Sequence, residues 1–109
     1  MAFDEGLAER IRDVFQDRFD VSEKKMFGGI AWMLDGNMCC GIVDDMLMAR
    51  VGPEQYNEAL KDPFASEMDF TGRAMKGFVY VNPEGTESDQ DLQHWVTRCE
   101  KFVSALPPK

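Results

Sequence analysis

The sequence predicts an α+β domain of two layers, helices packed on an antiparallel sheet, in the order α, three strands, α, two strands, α. Three observations lead there. Apolar residues recur at helical spacing near both ends of the chain. Strand-like runs joined by very short turns fill the middle. The strands come in groups and do not alternate one by one with helices.

The first helix is predicted over residues 4–19. Phe3, Leu7, Ile11, Val14 and Phe15 form its apolar stripe, Asp4 is its N-cap, and Arg10, Arg12, Asp13, Asp17 and Arg18 cover the wet side. A strand is predicted over 25–35, interrupted at Gly28-Gly29, where paired glycines signal a bulge or a close backbone approach. Asp35-Gly36 before Asn37 is a two-residue hairpin signal and returns the chain as a second strand, 38–43. Asp44-Asp45 makes the next turn, into a third strand over 46–51.

Two-residue loops place Trp32 opposite Cys39 and Cys40 opposite Ala49. One sheet face then carries Ile30, Trp32, Leu34, Cys39, Val43, Met46, Met48 and Arg50. The other carries Ala31, Met33, Met38, Cys40, Ile42, Leu47, Ala49 and Val51. Both are apolar, and one layer of helices covers only one face. The other face is expected to need a partner, a peptide or the return strands.

Gly52-Pro53 opens a short helix through Leu60, with proline in its first turn, and Asp62-Pro63 ends it. A strand is expected within 66–71, and Gly77-Phe78-Val79-Tyr80-Val81 is a clear one. Ser88 and Asp91 have the spacing of a capping box, with Asp in place of the usual Glu. Leu92, Trp95, Val96, Cys99, Phe102, Val103 and Leu106 form the broad stripe of a last helix, which Pro107-Pro108 stops.

Length and charge narrow the function. A chain of 109 residues fits one domain, residues 1–109, large enough to bury a core without staples. No apolar run approaches the roughly 18 residues that suggest a membrane span. Asp4 and Glu5 stand where a secretory signal would be basic and then apolar, so a cytoplasmic location is expected. The net charge of −8 opposes direct nucleic-acid binding, because no basic stripe is available to neutralise phosphates.

Chemistry-bearing residues are few. Three cysteines make no disulfide framework, and adjacent Cys39 and Cys40 should point to opposite faces of a regular strand as small apolar residues. Gly28-Gly29 lacks the strand-loop-helix setting and the Lys-Ser/Thr tail of a phosphate loop. His94, the only histidine, falls on the wet side of the last helix and has no nucleophile to serve. Asp35, Asp44 and Asp45 have turn chemistry and lack the further oxygens of a calcium loop. No catalytic residue, metal or cofactor is expected.

Arg50 stands out, set in an apolar strand beside Trp32 and Met48. It is expected to pair with an acid across the sheet, extend its head to the edge, or bind an anion. Arg73 and Lys76 could converge with it. The methionines of the meander suit either core filling or an adaptable binding face, and exposure on one sheet face separates the two. The candidate interaction face is Ile30, Trp32, Met46, Met48 and Arg50, with Arg73 and Lys76. Its expected occupant is a protein partner or a second copy of the chain. The alternative is a pocket for an anionic small molecule among Trp32, Arg50, Arg73 and Lys76.

Met26-Phe27-Gly28-Gly29-Ile30, Asp35-Gly36 and Met38, then Leu47, Arg50 and Val51, resemble the N-terminal domain of the TfoX competence regulators, also called Sxy. Pro63-Phe64, Gly72, Met75, Tyr80, Val81, Pro83, Leu92 and Trp95 follow in the same order, so the likeness runs from about Val21 to Phe102. The resemblance implies an α+β domain similar to the secretion-chaperone-like fold. It also implies kinship with bacterial regulators of DNA uptake and competence genes that act with other transcription factors. Full regulators of that type carry a second, helical domain, so a stand-alone N-terminal-type domain is expected. The family supplies no catalytic or ligand residues to carry over.

Overall fold

Asp4 starts the first helix by accepting the Leu7 N–H at 3.1 Å, which satisfies one of the donors a helix leaves free at its N-terminus. The computed structural model describes residues 4–16, 20–26, 29–69 and 74–107. Helix α1 spans Glu5–Val14 and turns Leu7, Ala8 and Ile11 inward. It is shorter than the predicted 4–19. Phe3, Asp17 and Arg18 lie outside the described residues.

Where the sequence predicts one interrupted strand over 25–35, there are two. β1 (Val21–Met26) and β2 (Gly29–Leu34) are antiparallel partners, from Val21↔Leu34 to Met26↔Gly29. The initial group therefore has four strands, not three. Gly28 lies outside the described residues. Gly29 meets the close-approach reading: a Cβ built there would lie 2.0 Å from the Ile42 carbonyl oxygen.

Asp35 and Gly36, with φ of 52° and 84°, turn β2 into β3 (Asn37–Val43), and Leu34 pairs with Asn37. Positive φ at both turn residues matches the right-handed twist of the flanking strands. Asp44, with φ 56°, leads from Val43 to its partner Met46 at the start of β4 (Met46–Arg50). Pro53–Gln55 form a turn, and helix α2 begins only at Tyr56 and ends at Leu60. β5 (Ala65–Asp69) and β6 (Ala74–Val81) follow. A 3-10 turn, Pro83–Thr86, precedes α3 (Asp89–Val103), whose capping Ser88 hydroxyl accepts the Asp91 N–H at 3.0 Å. The strand order is β1-β2-β3-β4-β6-β5, and every neighbouring pair is antiparallel.

A bulge decides which residues share a face. Trp32 pairs with Cys40, not Cys39, while Met33 pairs with Met38. β3 carries one extra residue there, and a one-residue shift exchanges faces. Ile30 and Trp32 therefore join Cys40, Ile42, Leu47 and Ala49, and the register continues to Val79 and Val81 on β6. The predicted company of Ile30 and Trp32 with Met46, Met48 and Arg50 is corrected on that ground. The expected pairing of Cys40 with Ala49 holds.

All three helices contribute to one core with that face. Leu7, Ile11 and Phe15 of the α1 region, Tyr56 and Ala59 of α2, and Leu92, Trp95, Val96, Cys99 and Val103 of α3 are buried against Ile30, Trp32, Ile42, Leu47, Val79 and Val81. Helix α3 lies on β3 and β4, α2 on β5 and β6, and α1 beside α3. Arg12 of α1 reaches Glu23 of β1 at 2.8 Å. The opposite face carries Ala31, Gly41, Val43, Met46, Met48 and Tyr80, and among the described residues no helix covers it.

Candidate functional site

The predicted interaction residues separate in space. Ile30 and Trp32 are sealed beneath the helices at 3% and 1% exposure. Met46 and Met48 lie on the helix-free face, Met46 half-buried and Met48 fully buried. Met48 lies across Gly41: a Cβ on Gly41 would meet its Cε at 2.6 Å. Arg73 lies outside the described residues, and of Lys76 only the backbone is described. A pocket joining Trp32 to Arg50 does not form, because Trp32 is interior.

Arg50 ends β4 in a setting the expectations did not include. Its guanidinium lies 5.5 Å from the ring centre of Phe78 and 5.6 Å from that of Phe102 on α3. It also donates to the Met38 carbonyl at 3.2 Å. A planar cation between two aromatic rings fastens the end of the sheet to the last helix.

The helix-free face is apolar but not wide open. Met33, Met38, Val43, Met46, Phe78 and Tyr80 on this side are half-buried, and Ala31 and Met48 are wholly covered. Among the described residues the only large apolar side chain that counts as exposed is Phe64, at 39%. Both tryptophans are interior. The exposure on this side is thus carried by methionines, Val43 and two aromatic side chains.

The cysteines depart from expectation. Cys39 and Cys40 do not part to opposite faces: both are buried in the same core as Cys99. The bulge at this point breaks the alternation on which the expectation rested. Hydrogen bonding to Cys39, then burial, pushes the Cys40 thiol well above its ordinary value of 9.0. Burial, then the neighbouring Cys39, does the same for Cys99, against the lowering effect of the Arg50 backbone N–H. Such thiols stay protonated and weakly nucleophilic at neutral pH.

Two residues that sequence reasoning passed over organise this architecture. Arg10 was placed on the wet side of α1. It is half-buried and donates to the Thr86 carbonyl at 2.7 Å, the Glu87 carbonyl at 3.2 Å and the Asp89 carboxylate at 3.2 Å, so it ties α1 to the start of α3. Asn37, buried just after the Asp35-Gly36 turn, donates from Nδ2 to the Pro107 carbonyl at 2.9 Å and anchors the chain beyond α3. Neither has a local sequence signal, because their partners are about 70 or more residues away.

A concavity flanks α3. A cleft of about 620 Å³ lies between that helix and the loop leading from β4 into α2. Val51, Phe102 and Leu106 supply apolar lining, while His94, Arg98 and Lys101 of α3 and Glu54 of the loop supply charge or polarity. His94 is exposed, as expected, with its ring 6.5 Å from and edge-on to Trp95. Arg98 stacks over Trp95 at 4.9 Å.

Among the described residues no group of three or more His, Cys, Asp or Glu side chains is placed to hold a metal ion. Among them, too, no helix is long and apolar enough to cross a membrane.

Comparison with known proteins places this geometry in a family. The family described as TfoX N-terminal domain matches residues 13–103, which covers β1 to β6 and all of α2 and α3. No curated protein and no solved structure gives a match. The match covers most of the chain and agrees with the α+β layout of helices on one face of an antiparallel sheet, so this protein belongs to the TfoX N-terminal domain family.

Proposed function

We propose that the chain is a regulatory module that holds a protein partner and catalyses no reaction, with the helix-free sheet face as its contact surface. The observation that carries this reading is the one-sided placement of the helices. It leaves Met33, Met38, Val43 and Met46 half-exposed together on the other side. Methionine side chains adapt to irregular partners, and burial of a contiguous apolar patch is the main source of association energy. Buried, protonated thiols support a binding role over a nucleophilic one.

The partner that fits is a protein with an apolar patch in basic surroundings. A net charge of −8 draws such a partner in, and it opposes the approach of DNA or of a second, equally charged copy. The kinship with competence regulators that act beside transcription factors points to a protein partner of the regulatory apparatus.

The test is affinity capture from the native host with the wild-type chain, Met46→Glu and a control, Lys61→Gln, at an exposed position just past α2. Met46→Glu should lose the captured partner while Lys61→Gln keeps it. Equal capture by all three would remove the sheet face from the account, and a wild-type dimer that Met46→Glu splits would replace the heterologous partner by a second copy.

A further inference from the structure

The cleft beside α3 has a different chemistry from the sheet face. Its apolar part is built into the fold. Phe102 lies directly on Gly52, where a Cβ would come within 2.4 Å of the ring, and Gly52 also has φ +88°. Only glycine leaves room for the ring and adopts that backbone without strain. Val51 beside it is 1% exposed, and Leu106 and Ala105 extend the lining past the end of the helix.

The charge along this cleft runs against that of the molecule. His94, Arg98 and Lys101 recur at helical spacing along the cleft side of α3. Two permanent cations there face one lining carboxylate, Glu54, in a chain whose net charge is −8. Arg98 is held over Trp95, so its planar fork is half-buried and oriented before anything binds. Ion pairs occupy Arg10, Arg12 and Lys61 elsewhere, but among the described residues neither Arg98 nor Lys101 takes part in one.

We propose that this cleft binds an amphipathic anion: an apolar chain lying on Val51, Phe102 and Leu106, ended by a carboxylate or phosphate that meets Arg98 and Lys101. The volume falls within the range of small-molecule sites, about 300–1,000 Å³, where apolar lining supplies affinity and a few polar groups fix orientation. An arginine fork recognises either acid group with paired, charge-assisted hydrogen bonds. The basic residues also suit the C-terminal half of a helix for electrostatic reasons alone, and the experiment separates that bland role from recognition.

The experiment is isothermal titration of the whole chain with decanoate, decyl phosphate, decanol and inorganic phosphate. One-site binding of decanoate or decyl phosphate is expected, and the stronger of the two identifies the head group. Decanol should bind about tenfold or more weakly, as the loss of charge-assisted hydrogen bonds requires. Arg98→Gln with Lys101→Gln should reduce anion binding to the level of decanol. Ala105→Trp, at an exposed position, should abolish binding of the chain while leaving the fold intact by circular dichroism. Absence of saturable binding by both amphiphiles, or binding unchanged in both variants, overturns the proposal. Inorganic phosphate binding as tightly as decyl phosphate overturns the apolar half of it. The sheet-face reading does not depend on this result, since Met46 lies outside the cleft.

Discussion

Trp32 pairs with Cys40 across the β2–β3 hairpin, and Cys39 is the residue left over in the bulge. That relationship turns the β2 tryptophan into the helix-covered core and brings Cys39 and Cys40 into the same core as Cys99 of α3. It also leaves methionines as the main half-exposed residues of the other face. The consequences are measurable.

Trp32→Ala should behave as a core deletion, because the side chain is 1% exposed. The expected loss is about 3–5 kcal/mol of unfolding free energy. Urea titration followed by far-UV circular dichroism measures it. A loss under about 1 kcal/mol would place Trp32 outside a packed core.

The thiols predict a pH dependence. Cys40 and Cys99 have folded-state values raised above the ordinary 9.0. Below pH 9 both folded and unfolded chains keep these protons, so stability from this source is complete. Above pH 9 the unfolded chain releases them first, binds fewer protons than the native state, and stability falls as pH rises. The Tyr56 hydroxyl, raised from 10.0 by burial and by the Glu67 charge, extends the same trend above pH 10. Chemical denaturation at pH 8, 9 and 10 should show a falling midpoint, and Cys40→Ala should flatten part of the decline. At pH 8 an aromatic disulfide reagent should find the three buried cysteines unreactive until the chain is unfolded.

Asn37→Ala should release the segment that follows α3, because the Nδ2 bond to the Pro107 carbonyl is lost. The expected cost is about 1–2 kcal/mol. Hydrogen exchange should quicken at Ser104–Leu106 and stay unchanged in β6. Unchanged exchange at the end of α3 would count against the anchor.

Arg50→Met should cost about 1–3 kcal/mol, from two ring contacts and the bond to Met38. Arg50→Lys should recover part of that, since a compact ammonium stacks less well between two rings. The comparison of denaturation midpoints for the two variants checks it. Equal losses would show that the planar fork is not what matters.

Much of the fold was legible where the signal is local. The Asp4 cap, the Asp35-Gly36 and Asp44-Asp45 turns, and the Ser88–Asp91 cap each rest on contacts within three residues, and each forms as expected. β1 was mostly missed because Ser22, Glu23, Lys24 and Lys25 are exposed on a sheet edge, where polar residues carry no alternation to read. The bulge at Cys39 has no glycine to advertise it, so Trp32 was read one residue out of register, while the glycine signal corresponds at Gly29 to a close backbone approach. That single displacement put Trp32 on the wrong face and dissolved the predicted site. The α3 cleft was invisible because it depends on Gly52 and Phe102 meeting across fifty residues.

The most direct test of the central claim uses the methionine methyl groups as reporters on the sheet. With the captured partner added to methyl-labelled protein, the Met33, Met38 and Met46 resonances should shift or broaden together. A soluble paramagnetic agent should reach these three methyls less once the partner is bound, with Met48 shielded before and after. Shifts confined to α3, with those three methyls unchanged, would contradict a contact surface on the helix-free face.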